Sequence, residues 1–292
     1  MRAYVVVDVF TDQPLEGNPV AVFTDAEGLS GEVMQRAARE LNLSETVFLF
    51  DGTGEADAHF RAHADAYAHA HAHARIFTPT AELPFAGHPV LGTAFVLGEQ
   101  LGIETVRLRT GAGTIAVQLN REDDRIVFGE MAQPIPTWES FERAGELLVA
   151  LGVKRSELPV EIYDNGPRHV FVAVDDQRAV SELRPDLGAV SELGEVGVSC
   201  FATSGTRVRT RMFGPALGVA EDPATGSAAG PLAVHLARHG RIRFGDRIEI
   251  RQGAEIGRPS VLYAAAAGAA EAIDRVTVGG AAVIVARGEY RL

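Results

Sequence analysis

Three short stretches of the sequence combine acidic, imidazole or hydroxyl side chains with glycine and proline. They are Asn42-Leu-Ser-Glu-Thr46, Pro84-Phe-Ala-Gly-His-Pro89 and Glu221-Asp-Pro-Ala-Thr-Gly-Ser-Ala-Ala-Gly-Pro231. Carboxylates and imidazoles are side chains that move protons in enzymes when a reacting group lies within hydrogen-bond reach. A carboxylate in a dry cleft has a raised pKa, which makes it a better base and also a usable acid. These stretches therefore hold the candidate residues for proton-transfer chemistry.

The second and third stretches each stand at the opening of an apolar segment that predicts a helix. The two segments are Gly87–Leu97 and Gly226–Leu236, and Pro89 suits a first helical turn because its missing N–H has no helical partner there. The free amides and partial positive charge of a helix N-terminus suit a carboxylate or phosphate group. No Gly-Lys-Ser/Thr follows Thr225, so this is not a P-loop, and no GxGxxG fingerprint follows a predicted strand. Anion binding and simple helix capping both stay open at this point.

A surface helix is predicted directly before the first stretch, with Ser30 as its N-cap. Its apolar stripe recurs at helical spacing through Val33, Met34, Ala37, Ala38 and Leu41. The helix is expected to end near Asn42, and a short strand is expected over 46–50. Glu45 then lies in the turn between a helix and a strand, where its side chain can point into a cleft.

The sequence resembles itself with a period of roughly 140 residues, which is too long for a solenoid. Arg75-Ile-Phe-Thr-Pro79 is matched by Arg211-Met-Phe-Gly-Pro215, and each is followed by a loop, a glycine-opened apolar helix and paired strands. The pattern predicts a duplicated α/β domain, with an N-terminal lobe at 1–130 and a C-terminal lobe at 131–280. A final strand near 281–292 is expected to return to the first lobe, and prolines after Met131 mark the linker.

The composition is ordinary for a globular protein, with 46% hydrophobic and 23% charged residues in a chain of 292. The net charge of −12, without a basic run, argues against nucleic acid or an anionic membrane as a partner. Cys200 is the single cysteine, so an intrachain disulfide is impossible and a cytoplasmic location is expected. The apolar run at 1–10 is interrupted by Asp8 and indicates a first strand rather than a signal peptide.

Five of the nine histidines fall between His59 and His73, where histidine alternates with alanine. In a β-strand this alternation places His69, His71 and His73 on one face. His-rich tracts bind metals, but this one has no cysteine and few carboxylates at useful offsets. The favoured interpretation is a solvated edge strand or hairpin, with a metal site as the alternative.

The three chemistry-bearing stretches closely resemble the PhzF family of phenazine-biosynthesis isomerases, and the resemblance extends over nearly the whole chain. Further matching stretches are Gly17-Asn-Pro-Val-Ala-Val-Phe23, Gln133-Pro-Ile-Pro-Thr-Trp-Glu139 and Asn165-Gly-Pro-Arg-His-Val-Phe171. The resemblance implies a diaminopimelate-epimerase-like α/β (α+β) fold of two pseudo-symmetric lobes, each a curled sheet around a central helix, in a homodimer. It also implies an isomerase that uses no cofactor and no metal. Its reaction would convert trans-2,3-dihydro-3-hydroxyanthranilate to an aminoketone by moving a proton from C3 to C1.

The resemblance also implies roles for individual residues. Glu45 matches the catalytic carboxylate of the family. The positions that match its substrate-binding residues are Ser44, Gly87, His88, Asp222, Gly226 and Ser227. The chain departs from the family pattern between about Asp57 and His71, where it is expanded, and this puts a hairpin in doubt rather than the site.

Other functions stay open beside this one. A racemase that uses two thiol bases is excluded by count, because Cys200 stands alone. A PhzF-like isomerase could act on another cyclic amino or hydroxy acid. A non-catalytic protein could bind a small acid in the same cleft, although Glu45 favours an enzyme.

Overall fold

The computed structural model of the chain describes residues 1–51 and 70–292. Contacts divide these residues into two compact units, called unit 1 and unit 2. Unit 1 comprises Met1–Leu15, Pro19–Met131 and Gly280–Leu292, and unit 2 comprises Glu16–Asn18 and Ala132–Gly279. Each unit combines β-strands with a smaller share of α-helix.

Most of the regular backbone is β-strand. In chain order the strands are β1 (Arg2–Val9), β2 (Asn18–Phe23), β3 (Glu45–Asp51), β4 (Ala72–Phe77), β5 (Glu82–Leu83), β6 (Thr105–Thr110), β7 (Gly113–Glu122), β8 (Arg125–Gln133), β9 (Thr137–Ser140), β10 (Glu161–Asp164), β11 (Arg168–Ala173), β12 (Gly197–Ser204), β13 (Arg207–Gly214), β14 (Val219–Asp222), β15 (Arg247–Gln252), β16 (Ser260–Ala269), β17 (Ala272–Gly280) and β18 (Ala282–Tyr290).

The α-helices are fewer. They are α1 (Gly31–Leu41), α2 (Gly87–Leu101), α3 (Ala144–Leu151), α4 (Gln177–Glu182), α5 (Leu187–Ser191) and α6 (Gly226–Arg238). Within the described parts of the chain, none is both long enough and apolar enough to cross a membrane.

The two units repeat one pattern of strand pairing. In unit 1, β2 runs parallel to β3, β3 antiparallel to β4, and β4 parallel to β6, which continues through β7 into β8 as an antiparallel meander. In unit 2, β11 runs parallel to β12, β12 antiparallel to β13, and β13 parallel to β15, which continues through β16 into β17. The short strands β5 and β14 occupy equivalent places beside β4 and β13. The predicted α/β fold class is therefore confirmed, and each unit carries one copy of the repeated pattern.

Each unit contains one long helix that is buried almost all round. In α2 every residue from Gly87 to Gly98 is buried, and in α6 only Ser227 and Arg238 are partly exposed. A helix without a polar face must be enclosed on all sides, and strands of its own unit supply the enclosure. At Gly92 a Cβ atom would come within 2.8 Å of the side chains of Val9 and Val20, so the close approach of α2 to its sheet requires glycine.

The predicted helix before Glu45 is confirmed as α1. Its N-cap is Ser30, whose hydroxyl accepts a hydrogen bond of 3.3 Å from the amide of Val33. Asn42 ends the helix in the left-handed conformation, at φ 51°, which asparagine tolerates better than most residues. The strand that follows begins at Glu45, one residue earlier than predicted, so Glu45 opens β3 rather than lying in the turn.

Part of the histidine–alanine run lies outside the described residues, including His59, His63 and His69. In the described part, Ala72 and Ala74 are buried on one face of β4 while His73 is half-buried on the other. The predicted alternation is thus confirmed for the part of the run that enters β4.

Of the two predicted alternatives, the edge strand is wrong for β4, whereas the antiparallel pairing of β3 with β4 agrees with a hairpin. The strand pairs with β3 on one side and with β5 and β6 on the other. His71, just before the strand, donates its amide to the Arg107 carbonyl at 2.8 Å and accepts the Arg107 amide on Nδ1 at 2.9 Å. Small alanine side chains let β4 pack closely on the core, and the neighbours then cover both of its edges.

Candidate functional site

Glu45 and His88 lie together in unit 1. Glu45 is the first residue of β3 and His88 is the second residue of α2. The Oε2 atom of Glu45 lies 3.2 Å from Nε2 of His88, and the two side chains are only 15% and 6% exposed. A carboxyl group and an imidazole thus form an acid–base pair with little access to water.

The imidazole of His88 is neutral at ordinary pH. Burial lowers its pKa to about 3, and a hydrogen bond to the backbone of Pro19 opposes this shift only weakly. Nε2 faces Oε2 of Glu45 but makes no hydrogen bond of good geometry with it, so the ring donates to the Pro19 backbone through Nδ1. A ring with its proton on Nδ1 presents a lone pair to Glu45 and can accept a hydrogen bond when that carboxyl group is protonated.

The start of α2 lies beside this pair. Its N-cap is Ala86, and no described side chain caps the helix there. The amides of Gly87 and His88 are the first two of the helix, where intrahelical partners are missing. Ser44 is half-buried and directly precedes Glu45. Unit 1 therefore holds four of the predicted site residues as two consecutive pairs, Ser44 and Glu45 where β3 begins and Gly87 and His88 where α2 begins.

The remaining predicted residues surround the start of α6 in unit 2. Asp222 is the last residue of β14, and Gly226 and Ser227 are the first two residues of α6. Oδ1 of Asp222 accepts a bond of 3.0 Å from the Asn18 amide group, and Oδ2 accepts a bond of 2.6 Å from the Thr225 hydroxyl. Burial raises the pKa of Asp222, and these two hydrogen bonds oppose the rise. Asp222 therefore organises the turn that leads into α6.

Gln252 completes this turn, although nothing in the sequence pattern singled it out. Its side-chain amide donates to the Asp222 carbonyl at 2.7 Å and to the Thr225 hydroxyl at 2.9 Å. Its side-chain oxygen accepts the Thr225 amide at 3.2 Å. A buried glutamine at the end of β15 thus takes the place of a side-chain cap for α6, and its only sequence signal is a polar residue at a buried strand position.

Three further side chains hold the first turn of α6, and sequence reasoning missed all three. Gln133 donates to the Gly226 carbonyl at 2.9 Å, and Asn165 donates to the Ser227 carbonyl at 3.0 Å. His169, to which the sequence analysis assigned no role, places Nε2 at 3.0 Å from Oγ of Ser227. These contacts fix both the backbone and the hydroxyl group of Ser227.

Pro231 explains the contact made by Asn165. A helix residue normally donates its N–H to the carbonyl four positions earlier, and for position 231 this is the carbonyl of Ser227. Proline has no N–H, so the Ser227 carbonyl lacks its helical donor, and the Asn165 amide group supplies one instead. The sequence did contain a signal for this contact. A proline four residues after a candidate site residue indicates that another side chain must donate to the backbone carbonyl of that residue.

A second polar cluster lies at the opposite end of α6. Oε2 of Glu161 lies 3.2 Å from Nδ1 of His235, 3.0 Å from Nε2 of His239 and 2.8 Å from the Arg238 guanidinium. Burial opposes ionisation, yet hydrogen bonds from these groups and from Tyr163 hold the pKa of Glu161 well below its usual range. Two histidines one turn apart and a carboxylate are a possible zinc ligand set. Because a guanidinium already binds the same oxygen and repels a cation, the cluster is better explained as an anchor for the C-terminal end of α6.

Cys200 contributes no base. It is fully buried, and burial raises the pKa of its thiol to about 12, so it stays protonated.

The family model described as phenazine biosynthesis-like protein, PhzC-PhzF, matches residues 7–288. The chain belongs to this family. Over 292 residues, covering all of both chains, it is 52% identical to trans-2,3-dihydro-3-hydroxyanthranilate isomerase of Pseudomonas aeruginosa.

Solved structures share the fold of this PhzC-PhzF family member. The crystal structure of a PhzF-family phenazine biosynthesis protein from Bacillus anthracis superposes with a TM-score of 0.82 at 23% identity, covering 100% of this chain and 99% of that chain. A probable proline racemase from Agrobacterium radiobacter superposes with a TM-score of 0.66 at 14% identity, covering 100% and 93%. The predicted diaminopimelate-epimerase-like fold is confirmed, and at these identities the likeness concerns the fold alone.

Proposed function

We propose that this chain isomerises trans-2,3-dihydro-3-hydroxyanthranilate to an aminoketone in phenazine biosynthesis. The proposal is supported by 52% identity over the full length of a Pseudomonas aeruginosa enzyme that bears the isomerase name. The observation that carries it is the pair of Glu45 and His88, in which a carboxyl oxygen lies 3.2 Å from a neutral, buried imidazole nitrogen. This is the acid–base equipment that a proton shift between two carbon atoms needs.

Glu45 is the proposed proton carrier. The ionised carboxylate takes the proton from C3 of the substrate, and the electrons of the C–H bond form a double bond between C3 and C4. The two ring double bonds of the diene shift along the ring, and C1 receives the proton from the Glu45 carboxyl group. The C3 hydroxyl is then an enol, which becomes the ketone. Between the two transfers, the neutral His88 ring accepts a hydrogen bond from the protonated carboxyl group.

The helix starts are the proposed binding positions. We infer that the amides of Gly226 and Ser227, together with the Ser227 hydroxyl, bind the substrate carboxylate, since a helix N-terminus favours a negative charge. The first amides of α2, at Gly87 and His88, offer donors of the same kind. Ser44 and Asp222 stay proposed substrate contacts, Asp222 through its carboxyl group, which suits an amino group.

The test is turnover of the proposed substrate. Purified protein is mixed with trans-2,3-dihydro-3-hydroxyanthranilate, and the loss of the diene absorbance is followed in the ultraviolet. Wild-type protein is expected to consume the diene at a rate proportional to its concentration, and the Glu45→Gln protein is expected to do so about 10²–10⁴-fold more slowly. A folded wild-type protein that leaves the diene unchanged would remove the proposal. Binding without turnover would then favour a small-acid-binding protein, and turnover of another cyclic amino or hydroxy acid would favour a related isomerase.

The remaining parts of the proposal concern cofactors and assembly. The proton shift balances within the substrate and Glu45, so we propose that neither a cofactor nor a metal takes part. We also propose that units 1 and 2 are the two lobes predicted from the internal repeat. A homodimer and a cytoplasmic location complete the proposal.

Metal independence has a direct check. Exhaustive chelation followed by removal of the chelator is expected to leave turnover within about twofold, because the proposed acid and base are a carboxyl group and an imidazole. Activity that disappears on chelation and returns with one added metal ion would contradict this part of the proposal.

A further inference from the structure

Two side chains hold Ser227 in the first turn of α6. Asn165 binds its carbonyl oxygen at 3.0 Å, which replaces the donor that Pro231 lacks. His169 binds its hydroxyl oxygen at 3.0 Å through Nε2. The backbone and the side chain of Ser227 are therefore fixed by two different residues of the β10–β11 region.

The surroundings of His169 decide which of its nitrogens carries the proton. The residue is 3% exposed, and burial lowers the pKa of its imidazole to about 4, so one nitrogen is protonated and the other is not. Within the described residues Nδ1 has no hydrogen-bond partner. It faces Gly197, the residue paired with His169 on the neighbouring strand β12, where a Cβ atom would lie 2.8 Å from Nδ1.

The two tautomers differ in what they leave unpaired. With the proton on Nδ1, a buried N–H points at the Gly197 backbone without an acceptor. With the proton on Nε2, the N–H donates to Ser227 and only a lone pair of Nδ1 stays unpaired. Buried N–H groups without acceptors are rarer in proteins than unpaired acceptors, so the second tautomer is favoured.

The direction of this bond determines what the Ser227 hydroxyl can do. Its oxygen accepts the proton of Nε2, so its own O–H is left to donate to another group. If Nε2 were the acceptor instead, the Ser227 proton would point at His169 and the oxygen would present lone pairs, which repel an anion.

We propose that His169 is a positioning residue that holds the Ser227 hydroxyl as a hydrogen-bond donor to the carboxylate of the ligand. This inference rests on the proposed function, because it assigns a direction to the proposed contact between Ser227 and the substrate carboxylate.

The first experiment requires no turnover. The ¹⁵N resonances of the His169 side chain are measured in the free protein by long-range proton–nitrogen correlation, with His169→Gln used for assignment. Protonated Nε2 and unprotonated Nδ1 are expected. The opposite tautomer would overturn the inference, whatever the enzyme does with its substrate.

The second experiment is a double-mutant cycle between His169 and Ser227. The probe is 3-hydroxyanthranilate, the aromatic counterpart of the proposed substrate, and its dissociation constant is measured by calorimetry. His169→Phe keeps a ring in the cavity and removes the donor, and it is expected to weaken binding about fivefold, the size of one neutral hydrogen bond. In the Ser227→Ala background the same change is expected to have almost no further effect. Additive effects of the two substitutions would contradict the inference.

Two controls separate positioning from loss of structure. His169→Gln, whose amide nitrogen can take the place of Nε2, is expected to restore binding to within about twofold of wild type, again because one neutral hydrogen bond is regained. His169→Phe is also expected to weaken binding of the uncharged carboxamide analogue of 3-hydroxyanthranilate less than it weakens binding of the carboxylate. If His169→Phe does not fold, as judged by thermal unfolding, His169→Leu replaces it.

Kinetics distinguish this inference from the proposed function. With the natural substrate, His169→Phe is expected to raise KM and to change kcat little, since Glu45 is untouched. A wild-type protein that neither turns over the substrate nor binds the probe would overturn the proposed function and this inference with it. A fully active wild type whose KM does not respond to His169→Phe would overturn the inference alone.

Discussion

The chemistry proposed for Glu45 depends on a carboxyl group that is largely shielded from water and faces a neutral ring. The Glu45 side chain is 15% exposed, and the neutral ring of His88 lies 3.2 Å away, where it can accept a hydrogen bond from the protonated carboxyl group between the two proposed transfers. Glu45→Gln keeps the shape of the side chain and removes the base. Turnover is expected to fall by about 10²–10⁴-fold, the range for general acid–base catalysis, while the dissociation constant of 3-hydroxyanthranilate changes little.

The control for this variant is Glu32→Gln, which changes an exposed carboxylate in the first turn of α1 and is expected to leave turnover at the wild-type level. A well-folded Glu45→Gln protein with full activity would show that the proton is carried elsewhere, with Asp222 and His88 as the next candidates. In heavy water, deuterium at C1 of the product would show that the protonated carboxyl group exchanges with solvent before it returns its proton.

The hydroxyl group of Ser227 is the second residue whose removal has a defined consequence. Ser227→Ala is expected to weaken binding of a carboxylate ligand by about 1 kcal/mol, which corresponds to the loss of one neutral hydrogen bond. The amides of the first turn stay in place, so binding is weakened rather than abolished. Ser140→Ala, on an exposed position of β9, is the matched control and is expected to bind as wild type does. Equal affinities for the two variants would show that the carboxylate does not contact Ser227.

At the scale of the element, α6 combines a proposed binding site at its N-terminal end with an anchor at its C-terminal end. Its first turn is held by Gln133, Asn165 and His169, and its last turn by Glu161. The strands β10 and β11 supply contacts to both ends, so the position of the helix start is coupled to that hairpin. Pro231 makes the contact of Asn165 necessary, because proline has no N–H to bind the Ser227 carbonyl.

This dependence on Asn165 can be tested by restoring the missing donor. Asn165→Leu is expected to lower the free energy of unfolding by about 1–3 kcal/mol, the cost of an unsatisfied carbonyl group. In a Pro231→Ala background, position 231 gains an N–H that can bind the Ser227 carbonyl, so the same Asn165→Leu change is expected to cost clearly less. Denaturant unfolding of the four proteins gives the coupling energy. Equal costs in both backgrounds would mean that Asn165 stabilises the fold in some other way.

At the scale of the whole molecule, buried neutral histidines make stability depend on pH. The pKa values of His88 and His169 are lowered to about 3 and about 4 by burial, whereas the unfolded chain titrates near the ordinary value of 6.5. Below pH 6.5 the unfolded chain therefore binds protons that the folded chain does not, and the free energy of unfolding falls as the pH falls toward 4. For His169, the lowering of the pKa from 6.5 to about 4 corresponds to about 3 kcal/mol in the free energy of unfolding. Glu161 adds a further loss of stability at still lower pH. Its pKa in the folded chain lies below the usual range, so the unfolded chain takes up a proton on this carboxylate before the folded chain does.

The measurement is denaturant unfolding at several pH values between 7 and 4. His169→Gln has no titrating group at this position, so its free energy of unfolding is expected to fall less steeply with decreasing pH than that of wild type. Between pH 7 and pH 4 the difference between the two free energies should therefore change by about 3 kcal/mol in favour of the variant, whereas Ser140→Ala should run parallel to wild type. Parallel curves for wild type and His169→Gln would show that His169 titrates alike in the folded and unfolded states.

Local features of this chain were predictable from its sequence. The caps and apolar stripe of α1, the two glycine-opened helices and the alternation in β4 depend on neighbours within a few residues, and each formed as expected. The duplicated strand order was predictable because each half carries its own copy of the same pattern. The candidate residues themselves were found by resemblance to a family rather than by physical chemistry, since the sequence has many carboxylates and Glu45 is not locally distinctive.

Only the tertiary structure decided what surrounds those residues. The neutral state of His88, the bonds that occupy Asp222, the contact of His169 with Ser227 and the interior position of β4 all depend on chain segments distant in sequence. The periodicity of a strand or helix indicates which face of an element is buried, but it does not identify the side chain that lies opposite. Hydrogen bonds require an alignment of a few tenths of an ångström, and burial shifts a pKa through all the atoms around a group. Both are properties of the packed chain, and no local stretch of sequence contains them.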